Sequence, residues 1–156
     1  MLIFLDIDGV LVRDRPFDNP ESSEDLMKFD RACLHEFETV LRRHPDARVV
    51  IASSWREVFP FAAIPPLFSP DIAPRIAGST PFLDPKVVHQ FEYLRDREVL
   101  EYLRQNHADR SPWVAVDDIR EHYPPDAPIV VTVAEVGFDR RAAKVLSEYL
   151  ELAEQV

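Results

Sequence analysis

Two pairs of acidic residues in this sequence each follow directly on an apolar segment. The first pair is Asp6 and Asp8, and the second is Asp117 and Asp118. Residues two apart in an extended chain point to the same side, so Asp6 and Asp8 can serve a single site. Carboxylates gathered in one crevice repel one another unless a cation offsets their charge, and oxygen ligands of this kind favour Mg²⁺. Because bound Mg²⁺ usually keeps positions open for water and substrate phosphate, the two pairs indicate phosphoryl chemistry.

A third group of polar residues follows another apolar segment, 48–52. It consists of Ser53 and Ser54, with Arg56 shortly after them. These residues follow their apolar segment as the acidic pairs follow theirs, so the two hydroxyls could converge with the carboxylates in one site. Two alternatives stay open: Ser54 can simply cap a helix that begins at Trp55, and Arg56 can be a solvated helix residue or an ion-pair partner of residues next to Glu57. Trp55 itself is interpreted as a packing residue.

These polar groups need regular elements to bring them together, and the apolar pattern predicts such elements. Some segments are apolar at nearly every position, as in strands buried on both faces of a parallel sheet: 2–5, 48–52, 113–116 and 129–133. Helical periodicity of apolar residues is found over 30–44, 95–107 and 139–153. Asp30 and Asp139 are the candidate N-caps of the first and last helices.

The alternation of strands and helices predicts an α/β fold with a three-layer, doubly wound (Rossmann-like) parallel sheet. Functional groups in such sheets gather beyond the carboxyl ends of the strands, and this is where the polar residues above are placed. Gly9 would let the chain turn sharply out of the first strand.

Two stretches interrupt the alternation. Residues 14–28 are polar and acidic, which predicts a loop or flap over about 10–29. A proline-rich insert over about 60–94 excludes long helices, although 75–78 could form a short strand. No repeat or linker divides the chain, so a single domain over 1–156 is expected.

The composition excludes several classes of protein. Glycine occurs three times at well-separated positions, which excludes a P-loop and a dinucleotide-binding glycine motif. The single cysteine, Cys33, excludes an internal disulfide and suits a reducing compartment. The net charge of −10 disfavours a nucleic-acid partner, although a local basic patch would still permit one. No apolar run approaches membrane-spanning length, so we expect a cytoplasmic protein with no membrane partner.

The segment 6–11 (Asp-Ile-Asp-Gly-Val-Leu) resembles the first motif of the haloacid dehalogenase (HAD) superfamily, D-x-D-G-[TV]-[LV]. The order of the other groups is similar to the superfamily as well: a strand ending in Ser, a basic residue opening a helix, and a strand ending in paired acids. Within the superfamily, 53–56 (Ser-Ser-Trp-Arg), 95–99 (Arg-x-x-Glu-Val) and 116–118 (Val-Asp-Asp) resemble a subgroup of small HAD domains. These domains occur alone in bacteria or attached to RNA-repair proteins. The resemblance extends from residue 2 to about residue 150.

This resemblance implies a role for each matching residue. Asp6 would be the nucleophile that forms an aspartyl-phosphate, and Asp8 would be the general acid/base. Ser53 would hydrogen-bond a phosphoryl oxygen, with Ser54 as the adjacent candidate. Arg95 stands where the superfamily usually has a Lys, and it would hold the phosphoryl group bidentately.

Lys86 and Arg97 compete with Arg95 for the position of the usual Lys. The resemblance also implies a metal site and residues that contact the substrate. The metal ligands implied for Mg²⁺ are Asp6, the backbone carbonyl of Asp8, and one or both of Asp117 and Asp118. The residues expected on the substrate side are Ser54, Arg56 and Gly9.

The predicted function is therefore that of a Mg²⁺-dependent phosphatase acting on a phosphorylated substrate, either a small molecule or a macromolecular end. The segments available for a cap domain are short, so we expect a minimal cap or none, and an open site. The alternative is a catalytically weak or inactive module that binds phosphate or metal and has a regulatory role. A phospho-acceptor receiver domain is disfavoured because its paired acids precede its lone acceptor Asp, the reverse of the order here.

Overall fold

The structure, a computed structural model, describes residues 1–14 and 28–155. The strands in these residues are β1 (Leu2–Leu5), β2 (Arg48–Ile51), β3 (Ile76–Ser79), β4 (Trp113–Asp117) and β5 (Ile129–Val131). The α-helices are α1 (Arg31–Arg43), α2 (Trp55–Val58), α3 (Leu94–Gln105) and α4 (Arg140–Glu154), and none of them has the length and apolar character needed to cross a membrane. The predicted flap over about 10–29 falls mostly on 15–27, outside the described residues.

The strands form one parallel sheet in the order β3-β2-β1-β4-β5. β1 lies in the centre, where Leu5 pairs with Ile51 of β2 on one side and with Val116 of β4 on the other. The chain thus builds one half of the sheet outward from β1 and then crosses back to build the other half. This arrangement confirms the predicted doubly wound α/β fold. Because every strand is parallel, all carboxyl ends meet at one edge of the sheet, called the carboxyl edge below.

Both faces of the sheet are buried, and strand residues alternate between them. Ile3 and Leu5 belong to the core that contains residues of α1 and α4, whereas Phe4 belongs to a second core that contains residues of α3. In the first core, Phe37 and Phe138 pack edge to face with ring centroids 5.3 Å apart. Burial on both sides explains why these strands read as continuous apolar runs.

The two predicted N-caps differ in what their side chains contact. Asp139 caps α4, since its Oδ1 accepts the N–H of Ala142 at 2.9 Å. Asp30 occupies the N-cap position of α1, but its side chain makes no capping hydrogen bond there. Its Oδ2 instead accepts the backbone N–H of Arg13 at 2.7 Å and the Nε–H of the same residue at 3.2 Å. Asp30 therefore ties the chain after β1 to the start of α1.

The proline-rich insert over 60–94 forms short elements only, as its composition predicts. Besides β3 it contains 3₁₀ turns, at Phe61–Ala63, Pro65–Leu67, Ala73–Arg75 and Val88–Gln90. β3 begins one residue later than predicted because Arg75 ends a turn and makes contacts elsewhere. Its guanidinium donates to the carbonyls of Leu41 at 2.6 Å, His44 at 2.5 Å and Ala47 at 3.0 Å, at the end of α1.

Candidate active site

The turn that follows β1 is held by its own backbone. The carbonyl of Ile7 accepts the N–H groups of Val10, Leu11 and Val12 at 3.0, 2.9 and 3.1 Å. The N–H of Gly9 donates to the carbonyl of Val12 at 2.7 Å. Gly9 has a φ of 79°, in the left-handed region that glycine adopts without steric cost. The turn therefore gives the backbone beside the first acidic pair a fixed course.

Asp6 lies at the end of the central strand and is only 8% exposed. Its Oδ1 accepts the N–H of Ile7 at 2.8 Å, which orients the carboxyl group. Burial, and then the negative charge of Asp117, raise the pKa of Asp6 to about 9. The positive charge of Arg95 has a weaker and opposite effect on this pKa, so Arg95 lies near the carboxyl group.

Asp117 and Asp118 follow the neighbouring strand β4. Asp117 is fully buried; its Oδ1 accepts the N–H of Ile119 at 2.9 Å, and its Oδ2 lies 3.0 Å from Nδ1 of His122. Asp118 is partly exposed, and burial together with the hydrogen bond and charge of Asp117 raises its pKa. The contact with His122 orients the buried carboxyl group of Asp117, and nothing in the sequence pattern had pointed to that histidine.

The three carboxyl groups are close enough to share a cation. One oxygen each from Asp6, Asp117 and Asp118 lies within 4.8 Å of the other two. Carboxylates at such separations cannot all be ionised without an offsetting positive charge, and this repulsion adds to burial, the larger cause, in raising the pKa of Asp6. Hard oxygen donors of this kind suit Mg²⁺, so these residues could hold the metal. The carboxylate of Asp8 does not belong to this cluster of described residues, and a ligand role for its carbonyl stays a prediction.

Mg²⁺ is expected to raise the melting temperature of the protein by about 5–10 °C at saturation, because it binds the folded state and removes the repulsion among the carboxylates. Asp118→Asn should lose most of this increase. Asp109→Asn, an exposed position before β4 at the opposite edge of the sheet, should keep it. Thermal denaturation followed by circular dichroism tests both variants, and an equal response in the two would contradict the metal site.

Gly9 lies against one of these carboxyl groups. A Cβ atom at Gly9 would be 2.4 Å from Oδ2 of Asp118, well inside van der Waals contact. The carbonyl of Gly9 also accepts the hydroxyl of Thr132 from the end of β5, at 2.7 Å. The position therefore brings the β1 turn and the acidic pair of β4 together, which the sequence did not predict. A contact between Gly9 and substrate stays a prediction.

Asp8 is exposed, and its carboxylate contacts a tryptophan. Oδ1 of Asp8 accepts Nε1–H of Trp55 at 3.0 Å. The Trp55 ring packs against Phe29 and Phe59, with centroid distances of 5.6 and 5.1 Å. Trp55 is thus a packing residue, as expected, and in addition it orients the carboxylate of Asp8 from a buried position.

On the prediction that Asp8 is the general acid/base of phosphoester hydrolysis, Trp55→Phe should lower kcat for p-nitrophenyl phosphate about tenfold with little change in KM, because it removes the donor to Asp8 and keeps the ring packing. Trp113→Phe is the matched control, since Trp113 packs on Phe4 with a centroid distance of 5.8 Å at the opposite end of the sheet. Steady-state kinetics of the two variants are compared at equal metal concentration. Equal kcat values for both would contradict an orienting role of Trp55.

Ser53 is fully buried just beyond β2, and Ser54 is partly exposed. Oγ of Ser53 accepts the N–H of Trp55 at 3.2 Å. Ser54 occupies the N-cap position of α2, yet its side chain makes no bond to the helix. The alternative that places Ser54 at the N-cap of a helix beginning at Trp55 is therefore confirmed in position, while the side-chain contact at the start of the helix is made by Ser53. Binding of a phosphoryl oxygen by either hydroxyl stays a prediction.

Arg56 and Arg95 come from different helices and meet at the carboxylate of Glu98. Nη2 of Arg56 donates to Oε2 of Glu98, and Nη1 of Arg95 donates to Oε1 at 3.1 Å. The side chains of Arg56 and Glu98 are 5% and 3% exposed, and that of Arg95 is 17% exposed. Arg56 is thus buried and ion-paired, and the alternative of a solvated residue is wrong.

The two competitors of Arg95 are surface residues. Lys86 is exposed, and so is Arg97, whose guanidinium carbon lies 4.7 Å from the centroid of the Phe91 ring. The side chain of Arg95, by contrast, is mostly buried, and its positive charge partly offsets the rise in the pKa of Asp6. The structure therefore favours Arg95 for the position that spacing suggested.

Comparison with known proteins identifies one matching family. A family model described as "HAD domain in Swiss Army Knife RNA repair proteins" matches residues 2–143. No curated protein and no solved structure matches the chain. The matched range contains all five strands described above and every residue of the candidate site.

Proposed function

The chain belongs to the family of HAD domains in Swiss Army Knife RNA repair proteins, and from this premise we propose that it is a Mg²⁺-dependent phosphatase. One observation carries the proposal: the carboxyl groups of Asp6, Asp117 and Asp118 converge at the carboxyl edge, with the guanidinium of Arg95 nearby. A cation site beside a mostly buried guanidinium is suited to neutralise and position a phosphoryl group.

In the proposed reaction, a carboxylate oxygen of Asp6 attacks the phosphorus atom. An aspartyl-phosphate forms as the bond between phosphorus and the leaving oxygen breaks, and Asp8 donates a proton to that oxygen. Asp8 then removes a proton from a water molecule, whose oxygen bonds to phosphorus while the bond from phosphorus to Asp6 breaks. The products are the alcohol, inorganic phosphate and the free carboxylate of Asp6. Exposure of Asp8 supports its role, because the group can exchange protons with solvent.

Other groups of the site hold the reactants in place. The N–H of Ile7 orients the attacking carboxylate, and Arg95 and the Ser53 hydroxyl bind phosphoryl oxygens. Mg²⁺, when held by the three aspartates, supplies positive charge that keeps them ionised and offsets the charge on phosphate.

We propose a terminal phosphate on a nucleic-acid end as the substrate, and the family description supports this class. The net charge of −10 opposes extended contact with a phosphate backbone. An enzyme that engages only the terminal phosphate avoids this conflict. Phosphorylated small molecules are the alternative substrate class.

The test is phosphate release from p-nitrophenyl phosphate and from oligoribonucleotides with a phosphate at either end, with Mg²⁺ or with EDTA. We expect turnover of both substrates with Mg²⁺ and none with EDTA. Failure to hydrolyse any member of a broad panel of phosphoesters would contradict the proposed activity. In that case, thermal stabilisation by Mg²⁺ with beryllofluoride would support the alternative of a binding module.

A further inference from the structure

Glu98 is a buried acidic residue on α3 that lies outside the cluster of three aspartates. Its carboxylate is 3% exposed and accepts hydrogen bonds from two arginines at once. A carboxylate removed from water is costly unless charged partners satisfy it, and Glu98 has such a partner for each oxygen. This arrangement links α2 to α3 through a single side chain.

On one side, Glu98 fixes Arg56. Nη2 of Arg56 contacts Glu98, and Nη1 donates to the backbone carbonyl of Ser53 at 3.0 Å. The ring of Phe82 covers the guanidinium, whose central carbon lies 4.6 Å from the ring centroid. Nε of Arg56 is buried and has no hydrogen-bond partner among the residues described. Arg56 is therefore fixed in a position where its guanidinium supports the backbone of Ser53.

On the other side, Glu98 holds Arg95 by one nitrogen. Nη1 of Arg95 donates to Glu98 from one turn earlier on the same helix. A guanidinium has several N–H donors in one plane, so a contact through Nη1 leaves others able to bind a phosphoryl oxygen. Arg95 is 17% exposed, more than either of the residues behind it. These remaining donors suit Arg95 to bind a phosphoryl group, and its positive charge acts on Asp6.

The two guanidiniums are close enough to repel each other. Burial, and then the positive charge of Arg95, lower the pKa of Arg56 to about 10. Without Glu98, two like charges would face each other in a mostly buried place, and the more exposed Arg95 would be free to turn toward solvent. The carboxylate is thus what keeps both cations at the site.

We propose that Glu98 is a positioning residue for phosphoryl binding, which sets Arg95 directly and the Ser53 backbone through Arg56. This inference rests on the proposed function, because it assigns Glu98 to the same site. It predicts that loss of the Glu98 charge weakens binding of phosphate more than it disturbs the metal site, whose three aspartates do not contact Glu98 in the hydrogen bonds described.

The test compares Glu98→Gln with Glu101→Gln in the full chain. Glu101 lies on the same helix and pairs with Arg104 through the same spacing of three residues, on the exposed side. The readouts are KM and kcat for p-nitrophenyl phosphate, the inhibition constant of inorganic phosphate, and the increase in melting temperature caused by Mg²⁺.

Glu98→Gln should raise KM and the inhibition constant of phosphate about tenfold, as for loss of one charge-assisted hydrogen bond. The response to Mg²⁺ should persist, and Glu101→Gln should resemble the wild type. In an Arg95→Ala background, Glu98→Gln should have a much smaller effect, because the residue that it positions is gone. Unchanged phosphate inhibition in Glu98→Gln, or fully additive losses in the double variant, would overturn the proposal.

If Glu98→Gln does not fold, the same measurements are made on Glu98→Asp. The shorter side chain keeps the charge, which favours folding, but it cannot span both guanidiniums, so phosphate inhibition should weaken in a protein that still folds. An inhibition constant equal to that of the wild type would overturn the role of Glu98. Phosphate binding is also measured without turnover, from the increase in melting temperature that inorganic phosphate causes in the presence of Mg²⁺. A wild type that binds phosphate and hydrolyses no ester would therefore contradict the proposed catalysis alone.

Discussion

Asp6→Asn is expected to reduce phosphate release from p-nitrophenyl phosphate by at least about 10⁴-fold, to background. An amide cannot attack phosphorus to form the acyl-phosphate bond, so the loss falls on kcat. Asparagine preserves the size of the side chain and can still accept the N–H of Ile7. The measurement is kcat with Mg²⁺ at saturation, with Asp109→Asn as the control variant. Turnover within tenfold of the wild type would exclude Asp6 as the nucleophile.

The same substitution is expected to stabilise the protein when no divalent cation is present. The pKa of Asp6 is about 9 in the folded protein, against roughly 4 in an unfolded chain, so the folded state binds this proton more tightly. Stability of the wild type should therefore fall as the pH rises between these two values, and Asn removes that loss. Melting temperatures in EDTA should be higher for Asp6→Asn than for the wild type at about pH 8. A lower melting temperature for Asp6→Asn than for the wild type would contradict the raised pKa of Asp6.

Gly9→Ala is expected to lower kcat about 10²-fold, although it adds a single methyl group. The new Cβ would lie 2.4 Å from Oδ2 and 2.8 Å from Cβ of Asp118, so the whole side chain of Asp118 would have to move. The φ of 79° adds strain of about 1–2 kcal/mol for a residue with a Cβ. The variant should therefore lose both stability and part of its response to Mg²⁺.

Substitutions at the two other glycines distinguish the displacement of Asp118 from a general loss of stability. Gly137 has a φ of 72°, and a Cβ there would lie 2.7 Å from Sγ of Cys33 and 2.9 Å from the carbonyl of Val10. Gly137→Ala should thus be destabilised without displacing Asp118. Gly78→Ala should be close to neutral, because its nearest contact would be the Tyr102 hydroxyl at 3.4 Å. Urea denaturation and kcat are measured for all three, and Gly9→Ala must lose more activity than Gly137→Ala at similar stability for the argument to hold.

The fold could be predicted from the sequence because its main signal is local. Strands buried on both faces carry unbroken apolar runs, and β1, β2, β4 and β5 each have one. β3 was harder, since Ile76-Ala-Gly-Ser has one large apolar residue and little β propensity. The start of β3 depends on contacts of Arg75 with the end of α1, more than 25 residues away in sequence, which no local pattern contains.

The position of a site residue could be predicted only where it follows from the topology of the parallel sheet. Asp6, Ser53 and Asp117 are brought together because parallel strands end at one edge, and their positions after apolar runs are visible in the sequence. The contacts of Trp55 with Asp8 and of His122 with Asp117 depend on side-chain packing, for which the sequence has no such signal. Glu98 belongs to the segment 95–99, Arg-x-x-Glu-Val. Its spacing of three residues from Arg95 on a predicted helix indicates that the two side chains can pair, but the sequence has no signal for the contact with Arg56.

The central place of β1 in the sheet has a consequence for how the protein is made. β1 is synthesised before its two neighbours, and β2 can cover one side of it once residue 51 has left the ribosome. The other side has no partner until β4, which ends at residue 117, has left the ribosome as well. Until then the apolar edge beside Asp6 is exposed on the nascent chain, a state that favours aggregation and binding by chaperones. We expect the candidate site to assemble late, when the second acidic pair leaves the ribosome.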